Sequence, residues 1–247
     1  MHRSHDYRHL VERWRKVAST AGLRLRPLVR ADGLTVYYLQ TRALQQSGGI
    51  YISAGIHGDE PGATEGLLTW AEANVQRLAH LPLLLLPCLN PWGLRNNSRF
   101  DEAGEDLNRA FQRDEFPIIA AMKKLLGERQ FEVALNLHED YDGEGAYLYE
   151  IQRDRPFWGE ALLEVARAII PVEPRDKVDG RKTIAGLIRR RFDLRRFNTI
   201  GFPEAIYLHL HHSRRSLTFE TPSEFALEQR AAAHAAILDE CVRRICG

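Results

Sequence analysis

A chain of 247 residues, 44% hydrophobic and 27% charged, is long enough for one large core and ordinary in composition for a globular protein. Its net charge of +1 removes any global electrostatic case for nucleic acid or an anionic membrane surface as a partner. No apolar run reaches membrane-spanning length, and the stretch Met1 to Lys16 lacks the apolar centre of a secretory signal. Cys88, Cys241 and Cys246 are odd in number and lack metal-site spacing, so free thiols and a cytoplasmic setting are expected.

Along the chain, Leu10, Trp14, Val17 and Ala18 fall at helical spacing over Tyr7 to Ala21, with Gly22 as the stop. Leu34 to Leu39 and Ile50 to Ala54 are expected as strands joined across a polar turn. Pro61 to Leu78 reads as a helix that tolerates Pro61 in its first turn. The continuous apolar run Leu81 to Leu89 fits a central strand covered on both faces. Asn90 to Gly93 is read as a turn opening a polar loop that lasts to Gly104. Phe116 to Glu128 and Phe157 to Ile170 have helical period, whereas Val133 to Leu137, ending at His138, and Ala146 to Tyr149 are strand candidates. The basic stretch Pro171 to Phe197 shows no period. Ala205 to His209 and Leu217 to Glu220 read as strands, and Glu224 to Ile245 as a closing Ala-rich helix. Alternating strands and helices predict an α/β three-layer sandwich, its mixed, mostly parallel twisted sheet covered by helices on both faces. In such sheets ligands gather at the carboxyl ends of strands, where His57, Asn90, His138 and Glu220 are all expected.

His57 and Glu60 are metal-ligand types three residues apart on a strand-to-helix loop, so both side chains can turn onto one divalent ion. Further on come Asn90-Pro91-Trp92-Gly93 with Arg99, then Asp106-Leu107-Asn108-Arg109, His138, and Thr218-Phe219-Glu220-Thr221. In this order the motifs resemble the zinc carboxypeptidase superfamily, the carboxypeptidase A-like fold shared with murein peptide amidases and with the aspartoacylase/succinylglutamate desuccinylase branch. The resemblance runs from about Leu34 to the C-terminus. It implies a single catalytic domain over 1–247, with residues 1–30 as an N-terminal helical extension.

By matching position, the resemblance implies one Zn2+ ion held by His57, Glu60 and His138, with Glu220 as general base. Arg99 would stabilise the developing oxyanion, and Asn108 and Arg109 would grip a substrate carboxylate. Taken alone, His138 would be a satisfied core histidine and Glu220 an ordinary strand-end ion pair; the ordered set is what gives them chemistry. Asp106 would orient either a ligand or Arg109, and Arg95 reads as solvated.

The chain departs from the family where Glu139-Asp140-Tyr141-Asp142 follows the third ligand. Either this is a solvated turn at Asp142-Gly143, or Glu139 or Asp140 binds a substrate ammonium such as that of diaminopimelate. Tyr207 is the candidate for the substrate-capping tyrosine, with Tyr147 and Tyr149 as competitors. His209, His211 and His212 offer a second metal or, as their alternation with Leu208 and Leu210 favours, part of a half-exposed strand or its exit. Arg189, Arg190, Arg191, Arg195 and Arg196 offer a site for an acidic substrate or phosphate or, as the near-neutral chain favours, a solvated basic face.

The expected activity is hydrolysis of an amide next to a free carboxylate, of carboxypeptidase or peptide amidase type. The alternative is an N-acyl amino acid deacylase; the single helix expected after Glu220, in place of a β-rich region, favours the peptidase branch. A non-catalytic binding module on the same fold would be marked by loss of the base or a ligand, and neither is lost. The expected partner is a peptide or acyl amino acid with a free carboxylate, with no nucleic acid and no membrane. The sequence carries no signal for an oligomeric state.

Overall fold

The computed structural model describes residues 3–152, 155–189 and 201–247. Helix α1 (Tyr7–Thr20) leads into the hairpin of β1 (Leu25–Ala31) and β2 (Leu34–Gln40). Strand β3 (Ile50–Ala54) precedes α2 (Pro61–Ala73), and β4 (Leu83–Leu86) precedes the short α3 (Pro91–Asn96). After α4 (Pro117–Leu126) come β5 (Phe131–Asp140), β6 (Tyr147–Gln152) and α5 (Gly159–Arg167). A small hairpin, β7 (Lys177–Val178) and β8 (Arg181–Lys182), leads to β9 (Leu187–Arg189). The chain closes with α6 (Glu204–His211), β10 (Ser213–Pro222) and α7 (Leu227–Cys246).

The main sheet has eight strands in the order β1-β2-β4-β3-β5-β10-β6-β9. Its centre is parallel, with β3 beside β4 and β5, and β5 beside β10. Antiparallel pairs sit towards the edges, β1 with β2, β2 with β4, and β10 with β6.

Strand side chains alternate faces, and here both faces meet helices, so the central strands are apolar throughout. Ile50, Ile52, Leu83, Leu85, Val133, Leu135 and Leu137 pack with α1, α2, α5 and α7 in one core. Tyr51, Leu84, Leu86 and Ala134 pack with α4 and α6 in the other. This is the predicted three-layer α/β architecture.

Several local expectations are corrected. Leu25–Ala31, placed by the sequence reading in a helical extension, is edge strand β1; Pro27 is accommodated because the pairing shifts register between Pro27 and Val29. Ala205 to His209 belongs to helix α6, not a strand. Ile206, Leu208 and Leu210 alternate with Tyr207, which is itself partly buried, so a short segment apolar on several sides gives no period to read. Asn90–Gly93 is not a free turn but the start of α3, whose first turn is capped by the Asn90 side chain accepting from Gly93 N at 2.8 Å.

The acidic Glu139-Asp140 pair is the end of β5 rather than loop, because parallel pairing with β10 continues to Asp140 opposite Pro222. Of the basic cluster, Arg189 ends β9, whereas Arg190, Arg191, Arg195 and Arg196 lie outside the described residues. Among the described residues no helix is long and apolar enough to cross a membrane.

Candidate metal centre

Because β3, β5 and β10 run parallel, their carboxyl ends reach one edge of the sheet. Beyond β3 the chain turns at Gly55, with φ +63°, and reaches His57. Gly58 then passes against α3 so closely that a Cβ would lie 1.9 Å from the Gly93 carbonyl carbon, so only glycine fits. Glu60 stands immediately before α2 yet makes no capping hydrogen bond with its side chain. Its carboxylate faces two imidazoles instead, with Oε1 2.5 Å from His57 Nδ1 and Oε2 2.9 Å from His138 Nδ1.

Donor atoms of His57, Glu60 and His138 all lie within 4.8 Å of one another, and all three residues are buried. Burial alone would push the His57 imidazole down, but Glu60 and Asp106 raise it to about 9. Burial likewise opposes the charge on Glu60, and the two histidines nevertheless hold its carboxyl well below the usual range. The cluster therefore attracts positive charge. Two imidazole nitrogens and one carboxylate oxygen also form the donor set of an open divalent-metal site. The remaining nitrogen of His57, Nε2, lies 3.3 Å from Asp106 Oδ1, the outer partner that fixes ring orientation in such sites. The residues fit a metal ion.

Asp106 also accepts from Arg99, at 3.1 Å from Nε and 2.9 Å from Nη2. This leaves Arg99 Nη1 beside the cluster, 3.4 Å from His57 Nδ1 and 4.0 Å from Glu60 Oε1. Asp106 thus orients His57 and the neighbouring Arg99 together. The backbone N–H of Asn108 donates to Asp106 Oδ1 at 2.9 Å, and Asn108 Oδ1 accepts from Glu204 N at 3.0 Å, where α6 begins. Asn108 is oriented from both ends, and it lines the cavity. Arg109 is exposed at the rim.

Glu220 lies on β10 in register with His138 of β5 and Tyr147 of β6. Burial pushes its carboxyl up to about 8; His138 opposes the shift, while Glu60, Asp140 and Asp179 add to it. His57, Glu60, His138, Arg99, Asn108, Arg109 and Glu220 all line one cavity of about 240 Å³.

Two expected site residues have other places. Glu139 borders the cavity, but its carboxylate accepts from Arg230 Nη1 at 2.6 Å, Gly62 N at 2.8 Å and Thr221 Oγ1 at 3.3 Å. A fully sheltered carboxylate with three donors is not a seat for a substrate ammonium. Tyr207 packs on Phe111, His211 and His212 from α6, so it does not supply the cavity's aromatic wall. Tyr147 and Tyr149 do, their hydroxyls donating to Asp140 and Asp179 at 2.9 and 2.7 Å.

Asp179, Ser216, Thr218 and Ile206 also line the cavity and were not anticipated. The two-residue period backwards from Glu220 signals Thr218 and Ser216; nothing local signals Asp179. Among the described residues the three histidines His209, His211 and His212 form no metal-holding group.

Residues 47–156 match the sequence profile of the succinylglutamate desuccinylase/aspartoacylase catalytic domain, a stretch carrying every proposed ligand but not Glu220. No curated protein matches the chain. Among solved structures, a proposed metallopeptidase from Shewanella amazonensis SB2B is 24% identical, with a TM-score of 0.83 over 98% of this chain and 94% of that one. A metallo-carboxypeptidase from Burkholderia cenocepacia is 17% identical, with a TM-score of 0.69 over 95% of this chain and 68% of that one. Murein-tripeptide amidase MpaA from Escherichia coli O157 is 16% identical, with a TM-score of 0.58 and 89% of each chain covered. The solved structures show a likeness in fold, and the profile match is confined to residues 47–156, the stretch that contains the donor cluster.

Proposed function

We propose that this chain is a zinc-dependent hydrolase that cleaves an amide bond next to a free carboxylate, of carboxypeptidase or peptide amidase type. The observation that carries the reading is the meeting of the His57–Glu60–His138 cluster with Glu220, Arg99, Asn108 and Arg109 around one cavity. Zinc held by the cluster would supply an acidified water and polarise the scissile carbonyl.

The protein's own groups do the rest. Glu220, whose carboxylate faces the cluster from the end of β10, takes up the proton of the attacking water and releases it to the leaving nitrogen. Arg99, tethered to Asp106, presents a cation where negative charge develops on the carbonyl oxygen. Asn108 and Arg109 bind the substrate carboxylate, for which a planar guanidinium offers two parallel donors. Thr218, Ser216, Ile151 and Ile206 leave room for the group adjoining that carboxylate, and Ser216 Oγ has no partner among the described residues.

Similarity in fold to a metallo-carboxypeptidase and a murein-tripeptide amidase favours a peptide-like substrate. The match of residues 47–156 favours a second reading, deacylation of an N-acyl amino acid. The test is to assay the zinc-loaded protein on short peptides, diaminopimelate-containing muropeptides and N-acyl amino acids, each with a Glu220→Gln control. Turnover of the peptide classes supports the first reading, and turnover of N-acyl amino acids alone selects the second. No turnover that depends on Glu220 overturns the hydrolase.

A further inference from the structure

We propose that Glu139 is a positioning residue that sets the metal-ligand geometry from the opposite side of the sheet, by fastening the first turn of α2 to β5. The inference rests on the metallohydrolase reading.

It begins with a vacancy at the start of α2. The first N–H groups of a helix have no partner within it, and the residue before the helix normally supplies one from its side chain. Here that residue is Glu60, whose carboxylate is turned to the two imidazoles and makes no cap. Glu139 supplies the acceptor instead. It reaches across from β5 so that Oε2 receives the Gly62 N–H at 2.8 Å. A carboxylate there also faces the positive end of the helix dipole.

Its other oxygen accepts from Arg230 Nη1 of α7 at 2.6 Å and from Thr221 Oγ1 of β10 at 3.3 Å. Three of the four segments joined in this way, all but α7, carry a site residue close by. Glu139 follows His138, Gly62 lies two residues after Glu60, and Thr221 follows Glu220.

The fit leaves no slack. A Cβ on Gly62 would sit 2.2 Å from Glu139 Oε1, and the Glu139 and Arg230 side chains are 0% and 11% exposed. Little water reaches these bonds, and Arg230 offsets part of the cost of burying the charge. Glu60 is free to serve the ion because Glu139 does the capping for it.

The experiment separates this clamp from simple burial of charge. Two double variants have equal charge in the buried layer, Glu139→Gln with Arg230→Met and Glu139→Leu with Arg230→Met. The first keeps a carbonyl acceptor for Gly62 N–H and the second has none. Metal-stripped proteins are titrated with Co2+, reading affinity by chelator competition and ligand geometry from the visible d–d absorption bands. The expected result is near wild-type binding for the Gln pair and roughly 10- to 100-fold weaker binding, with altered bands, for the Leu pair. Equal affinity and identical bands in the two pairs overturn the clamp.

If either pair does not fold, Gly62→Ala displaces the carboxylate with both charges retained. Weakened Co2+ binding in that variant supports the proposal, and wild-type binding overturns it. Wild-type protein whose Co2+ binding is unchanged by His57→Ala would overturn the metal centre itself, a different failure.

Discussion

Burial at the end of β10 raises the Glu220 carboxyl above the ordinary carboxylate range, so that once it has accepted a proton it can also return one. Glu220→Gln keeps size and hydrogen-bonding shape while removing that capacity. We expect kcat to fall by roughly 10²- to 10⁴-fold in steady-state assays, with zinc affinity nearly unchanged; a fall smaller than tenfold would place the base elsewhere. Arg99→Lys tests a different property, since lysine keeps the charge but loses the two-pronged grip on Asp106 Oδ2. Here kcat should fall more than KM rises, and an effect on KM alone would assign Arg99 to substrate binding. At this scale the ordered motifs name residues that the fold gathers around one cavity, His57, Glu60, Arg99, Asn108, Arg109, His138 and Glu220. The sequence pointed Glu139 towards a substrate ammonium, because the Arg230 that claims its carboxylate is 91 residues away. Asp179 joins the cavity from a hairpin turn for the same reason of distance.

The elements that were legible are those with an unambiguous period or a bounded apolar run, such as β3, whose observed limits Ile50–Ala54 match the expected strand. Strand β1 was hidden by Pro27, tolerated only because the strand lies at an edge and shifts register there. Helix α6 looks like a strand in sequence because its eight residues are apolar on several sides and show no helical period. How α7 packs leads to a prediction about pH. His234 of α7 is buried against α2, where a Cβ on Gly66 would lie 2.4 Å from His234 Cβ, and its Nδ1 has no partner among the described residues. Burial pushes its imidazole down to about 3, far below the ordinary value near 6.5. Between those two values the unfolded chain binds a proton that the folded chain does not, so stability falls as pH drops below 6.5. The slope from this one group is at most about 1.4 kcal/mol per pH unit. Denaturant unfolding from pH 7 to 4 should show that loss, and His234→Leu should flatten the curve by about one proton. A slope unaltered by the substitution would place the acid sensitivity elsewhere.

Across the molecule, the proposed ligands are brought together only by folding. Glu60 and His138 are 78 residues apart, one before α2 and the other inside β5, and both are buried in the native state. An unfolded chain holds no such three-donor site, so an ion bound there acts as a ligand of the folded form alone and raises stability by mass action. At a free zinc concentration 100 times the dissociation constant the gain is about 2.7 kcal/mol. A chain of this size converts each kcal/mol into about 2–4 °C of melting temperature. Restoring zinc to chelator-treated protein should therefore raise Tm by roughly 5–11 °C in a calorimetric scan. His57→Ala should lose most of that rise, because the two donors left have no third partner among the described residues. The histidines at the end of α6 provide the control: His209 and His211 lie within the helix and His212 just past it, and they form no such group. A rise of equal size in wild type and His57→Ala, abolished only by removing those histidines, would move the ion away from the cavity and take the proposed hydrolysis with it.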